Sequence, residues 1–263
     1  MKPKQEPKIV YYENELQDEF STAQITPKRI DGSYRYDRTS FWGRVAHFFW
    51  YRIVATPLAF CYLKLKFRHK IVNRSLLKGK KKQAYFIYGN HTQAMADALA
   101  PTFVCFPKDA YLIVHPNNVS IPFVGRVTPY LGALPLPDDM EANRNFIKTL
   151  EKRVSEGRTI FIYPEAHIWP YCTKIRNFGD QAFYYPIKHG TASYCFTNTY
   201  QKRKHSKKPR LVTYIDGPFY PDPSLNSRAA RKKLRDEVYH TMCQRSLLNE
   251  ITVVDYQKKE EKA

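Results

Sequence analysis

The chain has 263 residues and a formal net charge of +19 at pH 7, from 43 Lys and Arg against 24 Asp and Glu. Its length is enough for one large domain with a buried core. A hydrophobic share of 43% excludes a wholly disordered chain. The charge favours anionic partners such as nucleic acid, anionic lipid, phosphorylated metabolites or an acidic carrier protein, without choosing among them.

The cysteines and the N-terminal residues bear on the cellular compartment. The five cysteines are odd in number and no two are three residues apart, which argues against a disulfide framework or a cysteine-rich zinc site. The first twenty or so residues carry no apolar core of the signal-peptide type. We therefore expect reduced thiols, a cytoplasmic protein and no bound metal.

The N-terminal part divides by composition. Residues 1–39 are polar, charged and tyrosine-rich, and we expect a partly ordered arm. Residues 40–70 follow as an apolar, aromatic-rich segment, whose longest uncharged run (53–63) is about half of what crossing a bilayer needs. Basic residues punctuate it, which predicts a helical segment lying in the membrane interface with its charged ends reaching lipid phosphates. The alternative is an N-terminal helix packed on the core.

The remaining residues, 71–263, alternate between short apolar runs and amphipathic segments. The predicted strands are 84–89, 110–115, 133–136, 159–164, 192–200 and 210–216. The predicted helices follow 84–89 and 110–115 and cover 140–157 and 224–243. This alternation predicts an α/β fold with a mixed, largely parallel sheet flanked by helices. The basic tract 201–210 reads as a loop, either a solvated hairpin or a rim that faces anions.

The candidate catalytic residues come directly after the first of these strands. The strand 84–89 is followed directly by Asn90 and His91, and Asp97 lies in the helix that comes next. Loops at the carboxyl ends of strands hold the ligand crevice in α/β folds. Asp97 can accept a hydrogen bond from one imidazole nitrogen, so that the other serves as a general base. Taken alone, the pair is more typical of a structural histidine beside a helix aspartate.

Three further segments place this pair in a pattern. They are LGALPLPDD (131–139), IFIYPEAHIWP (160–170) and NFGDQAFYYPIKHGTASYCFTNTY (177–200). With Asn90, His91 and Asp97, these four blocks resemble, in order and approximate spacing, the phospholipid-biosynthetic acyltransferase family that includes the lysophosphatidic acid acyltransferases. The resemblance covers roughly residues 84–200. It sets Pro164 and Glu165 in the positions of that family's Phe-Pro-Glu-Gly turn.

The sequence departs from the family pattern in the spacing of the catalytic pair. Five residues separate His91 from Asp97, where the family has four. At about 100° per helical residue, neither spacing stacks the two side chains on one helical face. We therefore expect His91 to lie on the turn before the helix, where one more residue can be absorbed.

Two arginines that the family uses for the acceptor phosphate are also absent. Pro137, Asp138 and Asp139 stand where one is usual, and Glu165 is followed by Ala166 and His167. Three basic residues are candidate replacements: Arg126, Lys174 and Arg176. We expect Glu165 to orient the acceptor or to brace the Asn90–His91 turn, and His167 to line the cleft. The plainer alternatives are a local ion pair for Glu165, a solvated loop charge for Arg176 and a structural role for His167.

The resemblance implies transfer of a fatty acyl group from acyl-CoA or acyl carrier protein to a glycerolipid hydroxyl, foremost 1-acyl-glycerol-3-phosphate, in phospholipid biosynthesis. It implies no cofactor, and a peripheral or monotopic place on the cytoplasmic face of an anionic membrane. One alternative is another acceptor, such as a glycolipid, a lysophospholipid or an amine. Another is a non-catalytic basic protein that binds membrane or nucleic acid, although the sequence carries no nucleic-acid-binding signature.

Overall fold

The computed structural model describes residues 6–21, 25–80, 82–204 and 206–259. The predicted arm, the basic tract and the predicted domain each extend in part outside these ranges. The strands are β1 (Lys8–Tyr12), β2 (Lys70–Val72), β3 (Tyr85–Gly89), β4 (Ala110–Val114), β5 (Ala133–Pro135), β6 (Thr159–Ile162), β7 (Ala192–Arg203), β8 (Ser206–Phe219) and β9 (Val254–Lys258). The α-helices are α1 (Phe41–His47), α2 (Thr56–Phe67), α3 (Ala94–Cys105), α4 (Asn117–Ser120), α5 (Val124–Val127), α6 (Met140–Ser155), α7 (Tyr184–His189) and α8 (Ser227–Ser246).

Seven strands of the described residues form the central sheet, in the order β2-β8-β7-β3-β6-β4-β5. Every neighbouring pair in it is parallel except β7 and β8, which form an antiparallel hairpin. The prediction of a mixed, largely parallel sheet flanked by helices is therefore confirmed. The carboxyl ends of β3, β4 and β6 point the same way, so the loops that follow them meet at one edge.

The central strands are continuous apolar runs because helices cover both faces of the sheet. All five residues of β3 and all four of β6 are buried. On one face, Ile87 and Phe161 pack with residues of α2 and α3. On the other, Phe86 and Ile160 pack with residues of α6 and α8. The period-two alternation of side chains thus divides the core into two layers.

The segment predicted to lie at a membrane is one helical stretch, in which a π-helix (Phe48–Ala55) joins α1 to α2. Pro57 lies in the first turn of α2, directly after the π-helix. One stripe of the stretch is buried: Tyr51, Ala55, Ala59, Leu63 and Phe67. The opposite side is exposed and apolar: Phe41, Trp42, Val45, Phe48, Phe49, Ile53, Leu58, Phe60 and Leu65. None of the helices in the described part of the chain combines the length and the hydropathy needed to cross a bilayer.

The N-terminal arm is more ordered than its composition suggests. β1 pairs in parallel with β9 near the other end of the chain, in register from Lys8 with Val254 to Tyr12 with Lys258. Tyr12 and Phe20 also pack on the ring of Trp169. A strand whose partner lies more than two hundred residues away leaves no local periodicity in the sequence, which is why the pattern missed it.

Two boundaries differ from the sequence prediction. The basic tract is largely strand, because β7 continues to Arg203 and β8 begins at Ser206. The last helix begins after Asn226, whose side-chain oxygen accepts from the N–H of Ala229 and caps the first turn. Ser224, where the helix was predicted to begin, instead bonds to Asp222 in the preceding loop.

Candidate active site

His91 lies where β3 gives way to α3, at the carboxyl edge of the central sheet. β3 ends at Gly89 and α3 begins at Ala94, so His91 occupies the turn before the helix, as the spacing predicted. A Cβ at Gly89 would lie 2.8 Å from the ring of Tyr163, so only glycine leaves room for that ring. The His91 ring stacks on Tyr163, with centroids 4.4 Å apart and planes 13° from parallel.

Asp97, in the first turn of α3, holds the imidazole by its δ nitrogen. Nδ1 of His91 lies 2.9 Å from Oδ2 of Asp97, whose side chain is fully buried. The same oxygen accepts the backbone N–H groups of Thr92 and Gln93, both at 2.7 Å. These donors and the positive end of the α3 dipole stabilise the ionised carboxylate. The carboxylate in turn selects the tautomer with the proton on Nδ1, so that Nε2 carries the lone pair.

The loop between His91 and Asp97 wraps around the carboxylate. The N–H groups of Thr92 and Gln93 both turn inward to Oδ2 of Asp97. Tyr163 closes the arrangement from below, where its hydroxyl donates to the carbonyl of Asp97 at 2.7 Å. Burial raises the pKa of Tyr163 well above its usual value, so it serves as a neutral donor and a platform.

A buried polar chain supports Asp97 from β7 and β8. The Asn198 amide donates to Oδ1 of Asp97 at 3.2 Å, and the Thr213 hydroxyl donates to the Asn198 carbonyl oxygen at 2.6 Å. Nε2 of His69 lies 2.7 Å from the same hydroxyl. Because that hydroxyl donates its proton to Asn198, His69 is the donor in the last contact. Burial lowers the pKa of His69 to about 3, so it is neutral at pH 7.

Asn90 joins the end of β3 to Asn198 of β7. Its side-chain amide donates to the carbonyl of Asn198 at 3.1 Å, and its carbonyl oxygen accepts the N–H of Asn198 at 2.8 Å. Asn90 is itself only 1% exposed. The geometry makes Asn90 a clamp between β3 and β7, immediately before His91.

Glu165 reaches the His91 turn from the loop after β6. Its Oε2 accepts the backbone N–H of His91 at 3.0 Å and also a guanidinium N–H of Arg176 at 2.9 Å. Its Oε1 accepts the backbone N–H of Arg176 at 3.0 Å. The two side chains are 1% and 2% exposed, and the guanidinium also lies over the ring of Trp169. Glu165 and Arg176 therefore form a buried pair that braces the turn.

The loop after β6 also lies along the His91 turn through its backbone. The N–H of Trp169 donates to the carbonyl of His91 at 3.2 Å, and the N–H of Tyr171 donates to that of Thr92 at 3.0 Å. Pro164 is the half-buried residue that connects β6 to Glu165. Residues 164–176 thus fix the outer side of the catalytic turn, as α3 fixes its inner side.

The structure separates the basic residues considered for an acceptor phosphate. Arg176 is occupied by Glu165 and by the carbonyl of His167, so its guanidinium meets a ligand only if that pair opens. Lys174 and Arg126 have exposed side chains. Arg126 lies on α5, in the connection from β4 to β5. His167 is half-buried, with Nδ1 3.5 Å from Glu19 of the N-terminal arm.

This arrangement suits general-base catalysis. A histidine at the carboxyl edge of a sheet, with one nitrogen fixed by a buried carboxylate, can take a proton from a hydroxyl or water brought to Nε2. Within the described ranges, no three His, Cys, Asp or Glu side chains converge in a way that would hold a metal ion. The cysteines described are all free thiols, and burial raises the pKa of Cys105, Cys172 and Cys195, which makes them poor nucleophiles.

Sequence reasoning found the pair but missed most of its support. Asn198 and Thr213 lie far along the chain, inside runs that read as ordinary strand. The available signal was the polar residue type itself: Thr197, Asn198 and Thr199 are adjacent in β7, and all three are buried. Buried polar groups in a central strand require partners, which points to a network but not to its members.

Comparison with known proteins gives a match in structure but none in sequence. No protein-family profile matches the sequence, and no curated protein matches it. Among solved structures, the chain is similar to the 1-acyl-sn-glycerophosphate (LPA) acyltransferase PlsC from Thermotoga maritima, with a TM-score of 0.51 and 16% sequence identity. The similarity covers 77% of this chain and 88% of that one. A match to a chain of the Euglena gracilis mitochondrial ATP synthase, with a TM-score of 0.19, is too weak to argue from. The chain therefore shares the fold of that acyltransferase.

Proposed function

We propose that the protein is an acyltransferase that works at a membrane surface and transfers a fatty acyl group to a glycerolipid hydroxyl. The observation that carries the proposal is the His91–Asp97 pair at the carboxyl edge of β3, in a chain with the fold of a bacterial LPA acyltransferase. The order of the four sequence blocks supports the same reaction. The proposed acceptor is 1-acyl-glycerol-3-phosphate, and the proposed donor is acyl-CoA or acyl carrier protein.

In the proposed mechanism, Nε2 of His91 takes the proton of the acceptor hydroxyl. The oxygen attacks the carbonyl carbon of the thioester, forming the new C–O bond and a tetrahedral oxyanion. Collapse of this intermediate breaks the C–S bond, and the leaving thiolate takes the proton back from His91. Asp97 keeps the imidazole in the correct tautomer and stabilises the imidazolium while it exists.

The oxyanion needs donors that Asp97 does not already use. The N–H groups of Thr92 and Gln93 are bonded to Asp97, so they do not serve. The N–H groups of the first turn of α3 follow directly, at the positive end of a helix of twelve residues. Donors of this kind, fixed before the charge develops, are the usual means of stabilising such an intermediate.

The acceptor is the least constrained part of the proposal. Arg176 is engaged by Glu165, which leaves exposed Lys174 as a candidate for the acceptor phosphate beside this turn. Another acceptor, such as a lysophospholipid, a glycolipid or an amine, would use the same His91 chemistry. A panel of acceptors offered together is therefore the natural test.

Membrane association is supported by the exposed apolar side of the α1–α2 stretch. Its aromatic side chains include Trp42, 76% exposed, and Phe41, 64% exposed. Aromatic side chains of this kind favour the interface between lipid and water, and the surrounding positive charge favours an anionic leaflet. We place the protein at the cytoplasmic face, as a peripheral or monotopic protein.

The experiment is mass spectrometry of lipids after incubating the purified chain with acyl-CoA or acyl carrier protein and the acceptor panel. The proposal predicts a product one acyl group heavier than its acceptor, with release of one free thiol. Free fatty acid without acylated product would instead indicate a thioesterase. No turnover of any donor, with a folded protein, would contradict the proposal.

A further inference from the structure

A strongly basic cleft lies away from His91, where the chain just before α1 meets the end of α6. Its volume is about 490 Å³. We call it the arginine cleft. The side chains that the argument uses among its lining residues are Arg38, Arg44, Tyr130, Lys152, Arg153 and Arg158.

The arginine cleft and the candidate active site are at opposite edges of the sheet. Tyr111, near the beginning of β4, and Arg158, just before β6, line the cleft. His91 follows the far end of β3, which runs parallel to β6. At about 3.3 Å per strand residue, a strand of five residues separates the two by roughly 16 Å. The cleft is therefore a separate site.

Some of the cations in the cleft are already neutralised. Asp37 bonds Lys152 and Arg153, at 2.6 and 3.0 Å. Glu156 bonds Arg153 at 2.8 Å, and Asp109 bonds Arg158 at 2.7 Å. These ion pairs hold the three cations in place, and they leave the five basic side chains of the cleft facing three carboxylates.

Arg38 and Arg44 supply the remaining charge. Within the described ranges, neither has a carboxylate partner. The guanidinium of Arg38 lies over the ring of Tyr130, 5.2 Å from its centroid, and its Nε is buried without a hydrogen-bond partner in the part of the chain described. A guanidinium stacked on an aromatic ring keeps its edge for an anion, and its fork of donors matches phosphate oxygens.

The position of α1 connects this cleft to lipid. A Cβ at Gly43 would lie 2.1 Å from the carbonyl oxygen of Arg38, so glycine lets the helix pack directly against the cleft wall. Arg44 faces the cleft from α1, and the exposed Phe41 lies three residues earlier, on the same side of the helix. A ligand with an anionic group in the cleft can therefore place an apolar part against the Phe41 side chain.

We propose that the arginine cleft binds the phosphate of an anionic glycerophospholipid head group. Arg38 and Arg44 bind the phosphate oxygens, Lys152 and Arg153 set the surrounding positive potential, and the acyl chains lie along α1. The site takes no part in acyl transfer. It fixes the end of the α1–α2 stretch to lipid at the sheet edge opposite His91.

The test uses the full-length chain and a monomeric short-chain lipid, dihexanoyl-phosphatidylglycerol, below its micelle concentration. Calorimetry should show saturable binding with one site. Amide hydrogen exchange should slow at residues 36–44 and 152–158, and not at 90–97. The double variant Arg38→Gln/Arg44→Gln should weaken binding at least about tenfold, as expected for the loss of charge-assisted contacts to phosphate.

Three controls separate this proposal from others. Arg228→Gln/Lys232→Gln removes equal charge from exposed positions on α8 and should leave lipid binding unchanged. His91→Ala should bind the lipid like the wild type, so loss of acyl transfer and loss of cleft binding are distinguishable. Inorganic phosphate should bind at least about tenfold more weakly, because it lacks the apolar part.

Three results would overturn the inference. One is binding by the Arg38→Gln/Arg44→Gln variant at wild-type affinity. Another is slowed exchange at 90–97 in place of the cleft segments, which would put the lipid at the active site. The last is inorganic phosphate binding as tightly as the lipid, which would make the ligand a free phosphate.

Discussion

The amide of Asn198 donates to Oδ1 of Asp97 at 3.2 Å, while Oδ2 of the same carboxylate holds the imidazole of His91. The contact joins β7 to the first turn of α3. With the N–H groups of Thr92 and Gln93, it fixes the carboxylate in one plane. The orientation of His91 thus depends on a residue more than a hundred positions away in the sequence.

Asn198→Ala should lower kcat by about tenfold to a hundredfold, because a hydrogen bond to a charged group contributes about 1.5–3 kcal/mol. KM for the acyl donor should change little. Thr213→Val, which removes the hydroxyl that orients Asn198 and that pairs with His69, should have a smaller effect in the same direction. The measurement is steady-state kinetics over pH, with thermal unfolding of each variant. An unchanged kcat in folded Asn198→Ala would show that the carboxylate needs no support from β7.

Arg176→Met should lower the free energy of unfolding, and this loss of stability should be its main effect. It leaves the carboxylate of Glu165 buried without its partner, and breaking a buried ion pair on one side costs about 3–5 kcal/mol. The double variant Glu165→Gln/Arg176→Met should lose less than the sum of the single variants. Urea unfolding measures all three. If Arg176→Met unfolds like the wild type and only raises the acceptor KM, the arginine binds substrate and the bracing role is wrong.

His69 should make the protein sensitive to acid. Its pKa in the folded protein is about 3 because of burial, below the ordinary value. Between the two pKa values, the unfolded chain therefore binds a proton at His69 and the folded chain does not. The contribution is fully present above pH 6.5 and is lost as pH falls toward 3, at up to about 1.4 kcal/mol per pH unit. His69→Gln, which keeps a donor for Thr213, should flatten this dependence. If the free energy of unfolding in urea falls equally between pH 6.5 and 4 for the wild type and for His69→Gln, the effect is ruled out.

Phe41→Ser/Trp42→Ser should reduce binding to anionic vesicles at least about tenfold, because burying an aromatic side chain contributes about 1.5–3 kcal/mol. The part of the binding that survives high salt should fall most. Tyr220→Ser, which changes another exposed aromatic residue, is the matched control. Flotation in low and high salt measures the difference. Removing residues 1–67 is a poor test, because that segment includes β1 and the buried Leu63 and Phe67.

The sequence was sufficient to predict the α/β fold, because the central strands are recognisable from their apolar residues alone. A run such as Tyr85–Gly89, buried on both faces, is apolar throughout, and the helix between it and the next strand predicts a parallel crossover. The β1–β9 pair was missed because its two short strands are half exposed and distant in sequence. The order of the strands in the sheet could not be predicted from the sequence either, since it depends on contacts between elements.

For the site, the residue pattern predicted where His91 lies, but not that Arg176 pairs with Glu165. The glycine and asparagine after an apolar strand mark a turn, and the turn places His91 at the sheet edge. Whether Arg176 faces a ligand or Glu165 depends on the path of the loop after β6. That loop is fixed by backbone hydrogen bonds from Trp169 and Tyr171. Backbone hydrogen bonds do not depend on residue type, so the sequence does not indicate them.

The central claim is that His91 is the general base for transfer to a lipid hydroxyl. The most direct measurement is thiol release from acyl-CoA by wild type and His91→Ala, with and without lysophosphatidic acid, at equal protein concentration and with matched circular dichroism. The account predicts acceptor-dependent thiol release by the wild type, reduced by about a thousandfold or more in His91→Ala. A folded His91→Ala variant that releases thiol at near the wild-type rate would contradict it.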